Sequence, residues 1–279
     1  MIYVKISGRL GNNLFQFAAA HHLSKDVCAV ASDSYSVGVY NQYAGTLYSQ
    51  IPLVDKVPKG IKQYQEESYA YHQIPYDETD DLEIIGFYQS YKYFTKEEAI
   101  NLYQIPEFVL RDIEDIYGNF LNKNTVSINV RRGDYLKLPH RHPFCGLSYF
   151  KRAIAKFPLD STFIVTSDDI SWCKKHFLGD NFVFVEDSYP LLDLYIQTKC
   201  AHNIISNSSF SWWGAYLNPN PEQIVIAPKQ WYGISLSHLD TSDLLPPFTL
   251  FEECTYDIGQ KIKAYLLFLK AKLKTLIKK

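Results

Sequence analysis

The sequence predicts an α/β fold built from parallel strands and crossover helices. In the second half of the chain, short apolar segments alternate with segments of helical periodicity, and several of the apolar segments end directly in clusters of polar residues. Alternation of this kind is typical of βαβ units, whose strands run parallel. Polar residues just beyond the strands are typical of a ligand site at the carboxyl edge of such a sheet.

The N-terminal part begins with this alternation and then loses it. We expect strands over residues 2–6, 27–30 and 84–87, and a helix over residues 12–23. Residues 32–80 are rich in Tyr, Gln and Pro and have poor periodicity, which indicates long loops and short elements. Helical spacing over residues 96–121 predicts a helix with core positions at Ile100, Val109, Ile113, Ile116 and Phe120.

The C-terminal part is more regular. We expect strands over residues 125–130, 162–166, 182–185, 203–206 and 224–227, and helices over residues 149–157 and 191–200 and from Phe210 onward. We place a domain boundary near residue 122, so that residues 1–122 and 123–257 form two domains. Residues 258–279 follow as a helical tail.

Composition and cysteine spacing restrict the function. The chain has 279 residues, of which 47% are hydrophobic and 21% charged, as in soluble globular enzymes. Its formal net charge of −2 gives no indication of nucleic-acid binding. The five Cys form no C-x-x-C pair, which argues against a zinc site and a disulfide framework. The sequence has neither a signal-peptide pattern nor a long apolar run, so we expect a cytoplasmic protein.

Four polar clusters follow predicted strands. They are Gly8-Arg9-Leu10-Gly11-Asn12, Arg131-Arg132-Gly133-Asp134, Ser167-Asp168-Asp169 and Asn207-Ser208-Ser209. Taken singly, the Arg-rich cluster could be a surface turn, and the Asp and Asn-Ser-Ser clusters could cap the helices that follow them. Four such clusters in one chain together favour a binding site.

The chemistry of these clusters fits a nucleoside diphosphate. Guanidinium groups bind phosphate through paired donors, and the hydroxyl and N–H groups at a helix start bind a second phosphate. A carboxylate accepts hydrogen bonds from a ribose hydroxyl or a guanine edge. The chain contains no P-loop sequence, so the predicted site binds the phosphates in another way.

Three runs of residues also match known motifs. Residues 8–18 resemble G-x-L-G-N-Q-M-F-Q-Y-A, residues 130–135 resemble H-x-R-R-G-D-Y, and residues 206–214 resemble S-N-S-S-F-S-W-W-G. These are motifs of the α-1,2-fucosyltransferases, family 11 of the glycosyltransferases, and the resemblance covers about residues 2–230. The sequence departs from the family at Asn129, where a His is usual.

The resemblance implies a GT-B fold, in which two Rossmann-like lobes hold the active site in the cleft between them. It implies an inverting enzyme that moves L-fucose from GDP-β-L-fucose to the 2-hydroxyl of a terminal galactoside, in the synthesis of a bacterial surface polysaccharide. The N-terminal lobe would bind the acceptor and the C-terminal lobe the GDP-sugar. The alternatives are another sugar-nucleotide donor and a non-catalytic carbohydrate-binding protein of the same fold.

The resemblance also assigns roles to residues. Arg131 would hold the β-phosphate with Arg132 in support, and Asn12 would lie near the leaving-group oxygen. Asp168 would contact the nucleoside. The whole donor-binding set comprises Gly11, Asn129, Arg131, Arg132, Asp168, Ser208 and Ser209.

Arginine explains how such an enzyme can work without a metal. Charge builds on the departing phosphate, and one fixed donor aimed at it is worth about 3 kcal/mol. Because the chain contains no Asp-x-Asp, we expect that no metal or other cofactor is required. His140, His142 and Cys145 do not match a zinc-ligand spacing, so we expect their loop near the acceptor. Asp134 is a candidate base for the acceptor hydroxyl, and a structural partner of the Arg pair is the other interpretation.

The high tyrosine content permits two interpretations. The chain has 22 Tyr, and eight lie in the N-terminal stretch over residues 35–76: Tyr35, Tyr40, Tyr43, Tyr48, Tyr64, Tyr69, Tyr71 and Tyr76. Exposed tyrosine rings would contact an acceptor sugar, whereas packed rings would form core.

The C-terminal tail is strongly basic. Residues 258–279 contain seven Lys and no Asp or Glu, whereas the other residues carry 21 basic and 30 acidic side chains, a net charge of −9. An apolar stripe about 120° wide runs along the predicted helix, with Lys on both edges. Its members are Ile262, Tyr265, Leu266, Leu269, Leu273, Leu276 and Ile277; Leu267 and Phe268 fall outside it. We expect the helix either to bind the anionic inner face of the membrane, near a lipid-linked acceptor, or to pack on its own protein.

Overall fold

The computed structural model describes residues 1–24, 28–31, 33–77, 79–254 and 258–277. The chain forms two compact units. The first consists of Met1–Phe108 and Asp240–Pro246, and the second of Val109–Leu239 and the described residues from Pro247 onward.

Within the described residues, the first unit is built on a five-stranded sheet of parallel neighbours in the order β3-β2-β1-β5-β4. Its strands are β1 (Ile2–Val4), β2 (Cys28–Ala31), β3 (Leu53–Val54), β4 (Lys62–Gln65) and β5 (Leu82–Ile85). Its helices are α1 (Leu10–Leu23), α2 (Val37–Tyr43) and α3 (Lys96–Leu102). The predicted strands and first helix are confirmed with small shifts in their bounds, and α2, β3 and β4 are the short elements expected in the irregular region.

The predicted long helix over residues 96–121 is wrong in part, because the chain forms α3 and then a separate α4 (Glu107–Tyr117). Pro106 lies between them, and a proline disfavours helical geometry in the residue before it. The buried face of α4 follows the i, i+4, i+8 row of Val109, Ile113 and Tyr117.

Three predicted core positions in this region are wrong. Ile100 is only half-buried, because Ala99 and Leu102 take the buried positions of α3. Ile116 is 57% exposed because Tyr117 takes the buried position in the last turn of α4. Phe120 is 41% exposed and lies in a 3₁₀ turn (Gly118–Phe120), where the α-helical period no longer applies. The structural division at Phe108 also lies before the expected boundary near residue 122. Helix α4 belongs with the second unit, where the Tyr189 hydroxyl donates to its Asp112.

The second unit, within the described residues, is built on a six-stranded sheet of parallel neighbours in the order β11-β10-β9-β6-β7-β8. Its strands are β6 (Thr125–Val130), β7 (Thr162–Ser167), β8 (Phe182–Phe184), β9 (His202–Ile204), β10 (Val225–Pro228) and β11 (Thr249–Glu252). Its further helices are α5 (Leu147–Ile154), α6 (Ile170–His176), α7 (Pro190–Lys199), α8 (Ser209–Tyr216) and α9 (Ile258–Ile277). None of the helices in the described ranges is both long and apolar enough to cross a bilayer.

Strand β6 lies inside this sheet, and all six of its residues are buried. It pairs with β7 from Thr125 opposite Thr162 to Val130 opposite Ser167. Because the two parallel strands end side by side, the polar segments that follow them leave the same edge of the sheet as neighbours. The register therefore brings the Arg-Arg-Gly-Asp and Ser-Asp-Asp clusters together.

Candidate active site

Arg131 is the first residue beyond β6, and two carboxylates hold its guanidinium group. One terminal nitrogen, Nη1, lies 2.9 Å from Asp168 Oδ2, and the other, Nη2, lies 2.6 Å from Asp134 Oδ1. The Arg131 guanidinium carbon also lies 5.3 Å from the centroid of the Tyr135 ring, within cation–π range. The side chain is only 22% exposed, so these contacts fix its direction.

Asp168 is fixed from two directions. Besides its contact with Arg131, it accepts a hydrogen bond of 2.8 Å from the Arg132 main-chain N–H. A Cβ atom on Gly133 would lie 2.5 Å from Asp168 Oδ2. The glycine of the Arg-Arg-Gly-Asp motif therefore leaves the space that this carboxylate occupies.

Arg132 lies in an aromatic and acidic setting of its own. Its guanidinium carbon is 4.0 Å from the centroid of the Trp172 ring and 5.5 Å from that of Phe144. Its Nε donates to Asp169 Oδ2 at 3.1 Å, and its side chain is 12% exposed. Asp169 also caps α6 by accepting from the Trp172 main-chain N–H, so the capping interpretation of this residue is confirmed.

Two aromatic rings, those of Tyr135 and His142, extend the site beyond Arg131. Their rings stack with centroids 5.0 Å apart, and the Tyr135 hydroxyl donates to the main-chain oxygen of Asn207 at 3.1 Å. Burial raises the pKa of the Tyr135 hydroxyl to about 12, so that it remains a donor at neutral pH. Burial, together with the charge of Arg141, lowers the pKa of the His142 imidazole below its ordinary value.

The Asn-Ser-Ser cluster organises the loops around these groups. The Asn207 side-chain amide donates to the main-chain oxygens of Pro143 at 2.6 Å and Trp231 at 2.9 Å. Ser208 is buried, and its hydroxyl caps α8 by accepting from the Phe210 main-chain N–H. The cluster thus has the capping role that the sequence allowed, and contact of Ser208 and Ser209 with a phosphate stays a prediction.

Asn129 lies within β6 and is 6% exposed. Its side-chain nitrogen donates to Thr166 Oγ1 at 2.9 Å, and its side-chain oxygen accepts from Ser206 Oγ at 3.3 Å. The amide therefore connects β6 to Thr166 in β7 and to Ser206 in the segment that follows β9. Its contact with the donor also stays a prediction.

The charges of this cluster restrict how it can bind an anion. Two guanidinium groups face three carboxylates, a formal net charge of −1. A phosphate that binds Arg131 must replace a carboxylate or share the guanidinium, which has five N–H donors. Asp134 is the easier one to displace, because its side chain is 40% exposed against 27% for Asp168.

The Gly8–Asn12 cluster lies in the first unit, where β1 leads into α1. Gly8 has a φ of +85°, and a Cβ atom there would lie 2.3 Å from Asn12 Nδ2, so the turn requires glycine. The Asn12 side-chain oxygen accepts from Gln89 Nε2 at 2.9 Å, which directs the Asn12 amide. Gly11 is buried in the first turn of α1.

Two further residues of the motif hold this turn in place. Gln16 Nε2 donates to the Gly86 main-chain oxygen at 2.6 Å, and Asn13 Nδ2 donates to the Ser7 main-chain oxygen at 3.0 Å. Both side chains are fully buried, which explains why the motif carries amides at these positions.

Half of the tyrosines in the N-terminal stretch are core residues. Those that are at most 9% exposed are Tyr40, Tyr43, Tyr48 and Tyr64. Tyr48 stacks on Tyr40 with ring centroids 5.7 Å apart and contacts the edge of Phe17 at 4.7 Å. The packing interpretation is confirmed for these four, whereas Tyr35 and Tyr71 are exposed.

Within the described ranges, no group of three or more His, Cys, Asp or Glu side chains is placed to hold a metal ion. Cys145 is buried and donates to Asn207 Oδ1, and His142 stacks on Tyr135. The loop that contains His140 and His142 packs against residues 231–235, where the main-chain N–H of Gly233 donates to the main-chain oxygen of Arg141 at 2.8 Å. A position of this loop near the acceptor stays a prediction.

Sequence reasoning missed the aromatic side of the site. Trp172 and Phe144 were not candidates, because nothing in their local sequence shows that they enclose a guanidinium 40 or 12 residues away. Tyr135 directly follows the Arg-Arg-Gly-Asp motif, and that position was a signal that could have identified it.

Comparison with known proteins places this chain among glycosyltransferases. A profile of the family described as Glycosyl transferase family 11 matches residues 1–242. The O-antigen biosynthesis glycosyltransferase WbnK of Escherichia coli is 29% identical, over 83% of this chain and 95% of its own length. The α-1,2-colitosyltransferase of Escherichia coli is 26% identical, over 83% and 92%. The galactoside α-(1,2)-fucosyltransferase 2 of Oryctolagus cuniculus is 23% identical, over 83% and 76%.

A solved structure shows the same fold at low identity. The crystal structure of NodZ α-1,6-fucosyltransferase soaked with GDP-fucose aligns with a TM-score of 0.51 and 11% identity, over 78% of this chain and 92% of that chain. Together with the two parallel sheets, this likeness confirms the predicted GT-B fold class.

The contacts of Arg132 lead to a prediction about stability. Arg132→Lys removes a planar group that stacks on Trp172 while it binds Asp169, and an ammonium cannot do both. We expect the free energy of unfolding, measured by urea denaturation, to fall by about 1–2 kcal/mol. Arg111→Lys, on an exposed position of α4, is the matched control and should change it by less than about 0.5 kcal/mol. Equal effects of the two substitutions would show that the aromatic contacts of Arg132 contribute nothing to the free energy of unfolding.

Proposed function

Because the chain belongs to glycosyltransferase family 11, as its motifs predicted, we propose that it is an inverting enzyme that moves L-fucose from GDP-β-L-fucose to the 2-hydroxyl of a terminal galactoside. The observation that carries this proposal is the pair of arginines at the carboxyl end of β6, the edge at which α/β sheets bind ligands. The α-1,2 linkage named for two of its relatives supports the linkage. The O-antigen role named for WbnK supports a place in bacterial surface-polysaccharide synthesis.

Donor binding begins with an exchange of partners at Arg131. The β-phosphate takes the place of the Asp134 carboxylate, while Asp168 keeps its contacts with Arg131 and with the Arg132 main chain. The guanidinium group of Arg132, which lies against Trp172, stabilises the second negative charge of the diphosphate. The donor thus replaces one anion with another, and the guanidinium is not left unpaired in a half-buried site.

The transfer step then breaks one bond and forms one. The bond between C1 of fucose and the β-phosphate oxygen breaks, and the acceptor oxygen bonds to C1 from the opposite face, which inverts the configuration. The acceptor hydroxyl loses its proton to a base, and GDP leaves with the negative charge that Arg131 stabilises. Asn12, whose amide is directed by Gln89, is assigned to the leaving-group oxygen.

We assign Asp134 to positioning Arg131 before the donor arrives. The Asp134 carboxylate lies 2.6 Å from Arg131 Nη2, so in this arrangement it is bound to the guanidinium that it positions. The alternative role, as the base for the acceptor hydroxyl, requires Asp134 to leave Arg131 first. The first unit is assigned to the acceptor, with the exposed Tyr35 and Tyr71 as candidate sugar contacts.

A second candidate function differs only in the donor. The similarity to an α-1,2-colitosyltransferase favours a sugar nucleotide of colitose as the alternative to GDP-fucose. The Arg131 site would serve both donors, because it binds the phosphates and not the sugar.

The proposal is tested by incubating the full chain with GDP-fucose and a panel of terminal β-galactosides and determining the product linkage by NMR. We expect an α-1,2-fucosylated galactoside and one GDP for each fucose transferred. Transfer from a colitose donor alone would select the second candidate. Failure of every donor to turn over, with stabilisation of the fold by GDP retained, would indicate a binding protein instead.

The role of Arg131 gives a kinetic prediction. Arg131→Ala removes the cation assigned to the leaving phosphate, so kcat/KM should fall about 100-fold or more. Arg111→Ala, on the exposed face of α4, is the control and should retain full activity. If Arg131→Ala keeps more than about a tenth of wild-type kcat/KM while its fold is intact, the assignment is wrong.

The site chemistry also predicts independence from metals. Turnover should be unchanged after treatment with EDTA, because Arg131 and Arg132 supply the positive charge at the diphosphate. The measurement is the rate of GDP release with and without the chelator. Loss of activity that Mg²⁺ or Mn²⁺ restores would contradict this account of the site.

A further inference from the structure

Helix α9 is attached to the second unit by one narrow face. Ala264, Leu267 and Phe268 are its half-buried residues in the middle turns, and the helix contacts the turn formed by Ile234–Leu236. Lys263 Nζ adds a hydrogen bond of 3.2 Å to the Leu136 main-chain oxygen. Leu267 and Phe268, which fall outside the apolar stripe, are therefore the residues with which the helix packs on its own protein.

The apolar stripe itself lies on the opposite face and is exposed. Ile262, Tyr265, Leu266, Leu269 and Leu273 are between 38% and 59% exposed. Large apolar side chains scattered singly over a surface are ordinary, but five along one face of a helix form a patch that calls for a partner. Packing on its own protein, the other possibility that the sequence allowed, does not cover these residues.

Lysines border the stripe on both edges. Lys270 and Lys274 lie along one edge and Lys261 and Lys272 along the other, at about 100° per residue, and all four are exposed. The helix spans 20 residues, or about 30 Å, and no acidic side chain lies within it. An apolar stripe between two rows of cations is the pattern of a helix that lies in the interface of an anionic bilayer.

We propose that α9 binds the surface of an anionic membrane, with the stripe in the headgroup region and the lysines at the phosphates. The lysine stems can extend along the apolar stripe while their ammonium groups reach the lipid phosphates. The rest of the chain carries a net charge of −9, so the electrostatic attraction to anionic lipid comes from this one helix. The face of the second unit that carries α9 is therefore the face that meets the lipid. The proposal does not depend on which sugar the enzyme transfers.

A second copy of the chain fits the stripe less well. Ile262, Leu266, Leu269 and Leu273 follow the 4-3-4 spacing of a coiled-coil seam. The positions that flank such a seam hold Lys263, Lys270 and Lys272, and the helix has no acidic residue to pair with them. Two copies would therefore place lysines against each other, whereas lipid phosphates neutralise them.

The proposal is tested by sedimenting the full chain with vesicles of phosphatidylcholine containing about one-third phosphatidylglycerol, and with phosphatidylcholine alone. The wild-type chain should bind the anionic vesicles, and the binding should weaken in about 0.5 M salt, which screens exposed charges. Lys261→Gln/Lys270→Gln/Lys274→Gln should lower the partition coefficient about 100-fold, at about fivefold for each lysine. Leu266→Ser/Leu273→Ser should lower it by at least about tenfold.

The matched control is Leu159→Ser/Leu178→Ser, which changes two leucines that are 101% and 76% exposed elsewhere on the second unit. It should bind vesicles like the wild type, and circular dichroism should show that all variants are folded. Absence of binding by the wild type, or equal binding by the stripe variant, would overturn the proposal. So would a dimer in analytical ultracentrifugation that the stripe substitutions convert to monomer, because the stripe would then belong to a second copy.

Discussion

The contact of Arg131 with Asp134 and Asp168 is the interaction around which the second unit is arranged. It exists because β6 and β7 are parallel neighbours in a register that ends with Val130 opposite Ser167. A shift of that register would separate the guanidinium from Asp168 and turn the residues after β6 to other faces of the sheet. The fully buried strand β6 specifies the register, so the core of the unit and the geometry of the site have one origin.

The two arginines differ in how firmly they are held. Arg132 is enclosed by Trp172, Phe144 and Asp169, none of which a ligand can replace without disturbing α6 or its neighbouring loop. Arg131 is held by carboxylates, and one of these, Asp134, is exposed enough to be exchanged for another anion. The site thus pairs a fixed cation with one whose partner can change, which suits a diphosphate that must bind and then leave.

Much of this arrangement could be predicted from the sequence. Strand β6 and the arginines beyond it were evident, because a short apolar run that ends directly in charged residues is typical of a buried strand that leads to a ligand site. The contact between Arg132 and Trp172 could not be predicted, because it depends on how α6 packs against the edge of the sheet and not on local sequence spacing. The same limit applies to Ile116, where periodicity indicated burial but Tyr117 occupies the buried position.

Strand β11 and the C-terminal tail show two further limits of prediction from the sequence. The exposed Leu250 and Phe251 on an edge strand give β11 no alternating pattern to recognise. In the tail, the stripe was evident from the sequence, whereas the attachment through Leu267 and Phe268 required the structure. Propensity and periodicity therefore identified elements and charges, and tertiary packing decided which of their faces are used.

The most direct test of this account is a crystal structure of the protein with GDP-fucose. We expect a β-phosphate oxygen within about 3 Å of the Arg131 guanidinium, with the Asp134 carboxylate displaced and Asp168 retained. A diphosphate bound away from Arg131, with both carboxylates still on that side chain, would contradict it.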